Sequence, residues 1–171
     1  MGLFSKDITT MDELFTHVLQ DIYYAENQIL KALPDMIERS TKRELTAAFK
    51  SHLAETEKQV SRLEQAFELM GEKPKGTKCP AIDGIIDEAQ EIAGEIGDKR
   101  VLDAALIAAA QAVEHYEITR YGTLITWAGE LGHSAVAKLL SITLSEEKAA
   151  DKKLSTLGKA KINKRAPALR E

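Results

Sequence analysis

A chain of 171 residues, 44% hydrophobic and 29% charged, suits one domain with a sizeable core better than two. Aromatics reach only 5% and there are just 10 Gly and 4 Pro, while Ala, Leu, Ile, Glu and Lys dominate, so helix is favoured and a strand-rich sandwich or barrel is excluded. With 23 Lys and Arg against 27 Asp and Glu the net charge is −4, which leaves no global positive field to draw the chain to nucleic acid or anionic lipid.

The single cysteine, Cys79, excludes an intramolecular disulfide and a cysteine-cluster metal site, and it fits a reducing compartment, so the cytoplasm is expected. Met1 to Lys6 lacks the apolar stretch of a signal peptide and reads as a short lead-in. The longest uncharged apolar run, Ala104 to Ala110, falls far below the roughly 18 residues of a membrane span.

Thr10-Met-Asp-Glu13 is a capping box, and it opens a first long helix over 10–38. Its inward stripe runs Leu14, Val18, Leu19, Ile22, Glu26, Ile29, Leu30 and Leu33 at spacings of three and four. Pro34 should kink the last turn without ending it, because Met36 and Ile37 continue the pattern. A second box, Thr41-Lys-Arg-Glu44, predicts a second helix over 41–70 with the stripe Leu45, Phe49, His52, Thr56, Val60, Leu63 and Phe67, stopped by Gly71.

A turn-rich stretch then leads to a short amphipathic helix from Ala81 to about Ile96. Asp98 caps a third long helix over 98–131 with Leu102, Leu106, Ala110, Val113, Glu117, Tyr121, Leu124 and Ala128 inward. Ser134 caps a fourth, over 134–158, with Val136, Leu140, Thr143, Glu147, Leu154 and Leu157 on one face. Lys159 to Glu171 reads as a frayed basic tail, so the expected domain is 1–158 and the tail 159–171.

Connection lengths set the topology. The first two long helices are joined tightly, as are the last two, so each pair is an antiparallel hairpin. More than twenty residues separate the hairpins, enough to cross the roughly 42 Å of a 28-residue helix. An all-α four-helix bundle with one long crossover, here carrying a short helix, is the ferritin-like arrangement.

Each long helix interrupts its apolar stripe with a carboxylate near its midpoint: Glu26, then Glu55 beside His52, then Glu114 and Glu117, then Glu147. Midpoints coincide in a bundle whichever way each helix runs, so these groups converge on one interior level. Several unpaired negative charges cannot stay ionised there, and a cation is the natural remedy. Carboxylate plus imidazole suits Fe(II) or Mn(II), and Glu114 and Glu117 share one helical face at i and i+3.

Ala25-Glu26, the segment His52 to Gln59, the run Asp103 to Glu117 with Val113-Glu-His-Tyr-Glu117, Tyr121-Gly-Thr, and Glu146-Glu-Lys-Ala-Ala-Asp151 resemble the YciF-type bacterial stress proteins. The resemblance covers nearly the whole chain before the tail. It implies a ferritin-like, dimeric protein with a di-iron centre and ferroxidase activity. Glu26, Glu114, Glu117 and Glu147 fall on the wider group's ligand positions. Helices two and four depart from its Glu-x-x-His motifs: Lys58 follows Glu55 at that spacing, and Ala150 follows Glu147 with Asp151 one step beyond. Gln59 or Asp151 could supply a further ligand.

The expected site is therefore Glu26 and Glu147 as terminal ligands, Glu55, Glu114 and Glu117 as bridging or chelating ones, and His52 and Asp151 as additional candidates. The bland readings compete residue by residue. A Glu at a stripe edge is usually solvated, His52 fits a core histidine as well as a ligand, and Asp151 fits a surface pairing with Lys148 or Lys152 better than ligation. His115 falls off the inward line, His17 and His133 suit the surface, and Tyr23, Tyr24, Tyr116 and Tyr121 default to core tyrosine. The function expected is oxidation of Fe(II) by O2 or peroxide, in a homodimer. Two alternatives stand beside it: a manganese centre dismutating peroxide, and a non-enzymatic helical stress protein with a structural or vestigial site.

Overall fold

The computed structural model describes residues 7–166. The Met1 to Lys6 lead-in and the far end of the basic tail, 167–171, lie outside the described residues. Five helices form in chain order: α1 (Met11–Arg39), α2 (Arg43–Leu69), α3 (Pro80–Glu95), α4 (Lys99–Glu130) and α5 (Ser134–Leu157). No strand occurs among the described residues, and no helix is long and apolar enough to cross a membrane.

The start of α1 follows its sequence signal. Thr10 Oγ1 accepts from the Glu13 amide at 3.2 Å, and Glu13 Oε2 accepts from the Thr10 amide at 3.2 Å. Pro34 lies inside α1, which continues to Arg39. Asp98 caps α4 by accepting from the Arg100 amide, and Gly71 and Gly132, with φ of 72° and 80°, turn the chain after α2 and α4 where a side chain would be strained.

Two expected caps are corrected. Thr41 does not close a box with Glu44; the cap residue of α2 is Lys42, without a side-chain bond. Thr41 turns instead to Asp103 on α4, donating its amide to Oδ1 at 2.7 Å and its hydroxyl to Oδ2 at 2.6 Å. A charged acceptor 62 residues away outcompetes the local backbone. Likewise α5 is capped at His133, and Ser134 is its first residue. Beyond α5 the chain does not fray at once: Gly158–Ile162 forms a π turn and Asn163–Arg165 a 3-10 turn, with Ile162 buried.

The long helices pack in a square in which α1 touches α2 and α4, and α5 touches α4 and α2. Two cross-links fix their sense. The α1–α2 turn meets the start of α4 through Thr41 and Asp103, while Phe15 at the start of α1 stacks on His133 in the α4–α5 turn, with ring centroids 5.8 Å apart. Each helix therefore runs antiparallel to both its neighbours, and α2 and α4 are parallel across the diagonal.

The crossover runs along α1. Thr77 donates its amide to the Gln20 carbonyl at 3.2 Å and its hydroxyl to Gln20 Oε1 at 2.8 Å. Gly76 lies so close to Tyr24 that an added Cβ would sit 3.2 Å from the tyrosine Cβ. The crossover helix α3 then covers α4 and part of α1. Buried apolar side chains form two clusters, a larger one around Phe15, Ile22, Phe67 and Leu124 and a smaller one around Leu45, Phe49, Leu106 and Leu154. A layer of buried polar side chains lies at the helix midpoints.

Candidate metal centre

That layer draws on all four long helices. Helix α1 contributes Glu26, α2 contributes His52, Thr56 and Gln59, α4 contributes Glu114 and Glu117, and α5 contributes Thr143 and Glu147; every one is buried. Spacings of three and four put each set on one helical face. On α2 the inward line passes through Gln59 and not the expected Val60, and on α4 through Glu114 and not Val113.

Ligand atoms of His52, Glu114, Glu117 and Glu147 all lie within 4.8 Å of one another. His52 Nε2 is 3.3 Å from Glu114 Oε1. Glu114 abuts Glu147, and Glu117 abuts Glu26, in contacts where one carboxylate cannot donate to another without a proton. Tyr121, fully buried, donates its hydroxyl to Glu26 Oε1. Gln59 donates to Glu147 Oε1 and also to Glu146 Oε2, the latter at 3.2 Å.

Much of the layer's hydrogen-bonding capacity is unused. Glu26 Oε2, His52 Nδ1, Gln59 Oε1, Glu114 Oε2, both Glu117 oxygens and Glu147 Oε2 are buried without a hydrogen-bond partner among the described residues. Such atoms are rare in native proteins, and each costs about 1–3 kcal/mol, more if charged. Burial, then repulsion from Glu147, pushes Glu26 up to about 8. Burial chiefly raises Glu114, Glu117 and Glu147 as well, with neighbouring carboxylates adding to the rise in Glu114 and Glu117. Burial also lowers His52 to about 4, so its imidazole is neutral at pH 7 and free to ligate.

Not every expected residue joins the layer. Glu55 is 37% exposed, 4.0 Å from His52 Nδ1, and accepts from Ser51. Asp151 lies outside as well, accepting from Gln111 at 2.8 Å and meeting His115 at 3.3 Å, so its partners are on α4 and are not the lysines of its own helix. His17 pairs with Asp21. Tyr23 and Tyr24 bond Glu64 and Asp83 away from the layer. Cys79 is buried at the start of α3 with its Sγ 3.0 Å from the Tyr116 hydroxyl.

Sequence reasoning missed Arg62, whose guanidinium grips Glu146 through both Nη atoms and reaches Thr143 at 3.3 Å. The signal was present: Arg62 stands three residues after Gln59, one turn further along the same face. Through Gln59, this surface-side ion pair is tied to Glu147.

The donor set of three converging carboxylates and one neutral imidazole, with Glu26 joined to it through Glu117, is that of a hard or borderline divalent cation. A cation would occupy the unpartnered oxygens and replace the protons that the carboxylate contacts otherwise require. The residues present therefore fit a metal.

Comparisons with known proteins find relatives that this chain matches over nearly their whole length. Protein YciF of Escherichia coli (strain K12) is 45% identical over 161 residues, 94% of this chain and 97% of YciF. The crystal structure of this E. coli stress protein matches with a TM-score of 0.87, covering 92% of this chain and 100% of that one. YcfI of Rhodopseudomonas palustris, for which a structural role has been suggested, is 62% identical with a TM-score of 0.88 over 90% of this chain and 98% of its own. A Xanthomonas campestris protein only 21% identical shares the fold, with a TM-score of 0.70. Residues 10–167 match the family described as Domain of unknown function (DUF892), and the chain belongs to that family as a YciF-type stress protein homologue.

Proposed function

We propose that the chain binds two divalent iron ions in the midpoint layer and promotes their oxidation by dioxygen or peroxide. The supporting observation is the set of unpartnered buried carboxylate oxygens around His52 and Glu114. Four buried carboxylates, Glu26, Glu114, Glu117 and Glu147, carry four negative charges when ionised, which two divalent cations neutralise. Glu117, with both oxygens unpartnered, would bridge or chelate, and Glu114, between His52 and Glu147, would do the same. Glu26 and Glu147 each keep one oxygen for the metal while the other is held by Tyr121 or Gln59. Glu55 and Asp151 act outside the layer, Glu55 at its approach.

When bound, the ions supply two electrons. Two Fe(II) become two Fe(III) while O2 with two protons becomes H2O2, or H2O2 with two protons becomes two H2O. The protein's part is to hold the ions together, to keep the imidazole neutral and to fix carboxylate positions through Tyr121 and Gln59. Manganese fits the same oxygen-rich donors. A second reading, a non-enzymatic structural or vestigial site, is favoured by the missing Glu-x-x-His motifs and by the structural role suggested for YcfI.

Anaerobic loading with Fe(II), followed by exposure to O2 or H2O2, tests the proposal. Up to two ions per chain should be retained, and Fe(III) absorbance should rise faster than in protein-free buffer. Retention without accelerated oxidation favours the structural reading, and no retention removes the metal centre.

A further inference from the structure

Two clefts reach the carboxylate layer from opposite sides of the bundle, and their walls differ in chemistry. Between α2 and α5 a cleft of about 620 Å³ ends on His52 and Glu114 and carries Glu55, Glu146 and Lys153 beside apolar Phe49, Ile142 and Leu154. Between α1, α3 and α4 a pocket of about 50 Å³ ends on the same two residues, but its walls include Ile29, Leu33, Met36, Ile86, Leu106 and Val113. The space exists because alanines face one another there: Ala89 and Ala93 on α3, Ala109 and Ala110 on α4.

The other polar residues lining this pocket are Asp35, Arg39 and Gln90; Asp35 and Gln90 are exposed, at its solvent end. His52 and Glu114 are more than nine-tenths buried, and His52 Nδ1 and Glu114 Oε2 lack partners. A water molecule needs about two to four polar partners to stay in such a space, which the Ile, Leu, Met, Val and Ala walls do not supply, and a cavity walled by Leu, Ile and Phe stays dry and accepts apolar guests such as xenon. A hydrated cation or a peroxide, each dependent on hydrogen bonds, finds none along those apolar walls and is disfavoured there. The volume suits a molecule of two or three heavy atoms.

We propose that the α1–α3–α4 pocket binds a small apolar gas of the dioxygen class and presents it to the His52–Glu114 edge of the layer, cations arriving past Glu55, Glu146 and Lys153 through the cleft on the opposite side. Gas binding stands on the pocket alone; delivery to a metal rests on the function proposed above. It also makes dioxygen, and not peroxide, the oxidant for which this fold is built.

Xenon, a gas of comparable size, is the probe. Crystals of the full-length protein pressurised with xenon should show it between Ala89, Ala110 and His52, and the signal should vanish in Ala110→Leu, which fills the space. Ala89→Leu, on the more exposed α3, serves if the first variant does not fold. In iron-loaded protein either variant should slow O2-driven oxidation at least fivefold and leave H2O2-driven oxidation unchanged. Ordered water in place of xenon, or an equal loss with both oxidants, overturns the proposal. If loaded protein oxidises iron with neither oxidant, the proposed function fails while the xenon result still decides the pocket.

Discussion

Replacing Glu26 with Gln probes the charge of the midpoint layer with little change of shape, since the amide oxygen can still accept from the Tyr121 hydroxyl. In metal-free protein the Glu26 carboxyl, raised to about 8 by burial and by Glu147, must take up a proton on folding at neutral pH. Below pH 4.5 both the folded and unfolded forms are protonated, and the group's contribution is fully present. Between 4.5 and 8 only the unfolded form ionises, so stability falls as pH rises, and above 8 the loss is complete. At about 1.4 kcal/mol per pH unit the cost at pH 7 is at most about 3.5 kcal/mol. For a domain of this size that corresponds to at most about 7–14 °C in melting temperature. Chelator-treated Glu26→Gln should therefore melt close to wild type at pH 4.5 and increasingly above it towards pH 8, read by circular dichroism. A difference constant across that range, or a variant less stable at every pH, would show that the carboxylate is already satisfied by the protein, and the cation argument would fall.

Four further outcomes follow from the same geometry. Glu147→Ala should lose at least one of two bound ions by elemental analysis, and unchanged stoichiometry would contradict its assignment. Metal binding should strengthen from pH 5 to pH 8, because the raised carboxyls must shed protons to ligate, and titration calorimetry should detect their release. Asp103→Ala leaves the Thr41 amide and hydroxyl without their acceptor and should cost about 1.5–3 kcal/mol in denaturant unfolding. Gly76→Ala, which sets a Cβ 3.2 Å from Tyr24, should cost about 1–3 kcal/mol by crowding the crossover off α1. A neutral result would mean that the strap adjusts freely.

Local signals were legible where their partners are local. The Thr10 and Asp98 caps, the positive-φ glycines and the run of α1 through Pro34 all depend on residues within one turn. Thr41 misled because its acceptor is brought near only by the tertiary fold. The inward line of α4 was blurred for another reason: α3 covers a side of α4 that a plain bundle would expose, so Ala104 to Ala110 is apolar all round and does not distinguish Val113 from Glu114. Glu26, Glu117 and Glu147 stood out because each replaces an apolar residue in a clear stripe. Glu55 and Asp151 were drawn in by their spacing of three and four residues from His52 and Glu147, which sets a side chain near the same helical face but does not decide whether it reaches the interior. Arg62 and the His115–Asp151 pair belong to inter-helix geometry that periodicity does not encode.

The division of the layer between two hairpins bears on how the chain reaches its folded state. Glu26 and His52 belong to the first hairpin, while Glu114, Glu117 and Glu147 belong to the second, beyond the crossover. Each hairpin can form from contacts close in sequence, but docking them must close a long loop and bring like charges face to face. The carboxylates thus oppose the last association step, and protons or divalent ions present at that moment lower its barrier. Because no half of the chain holds a complete ligand set, a cation has little to grip before the hairpins meet. Metal should accordingly slow unfolding of the finished bundle far more than it speeds the early steps.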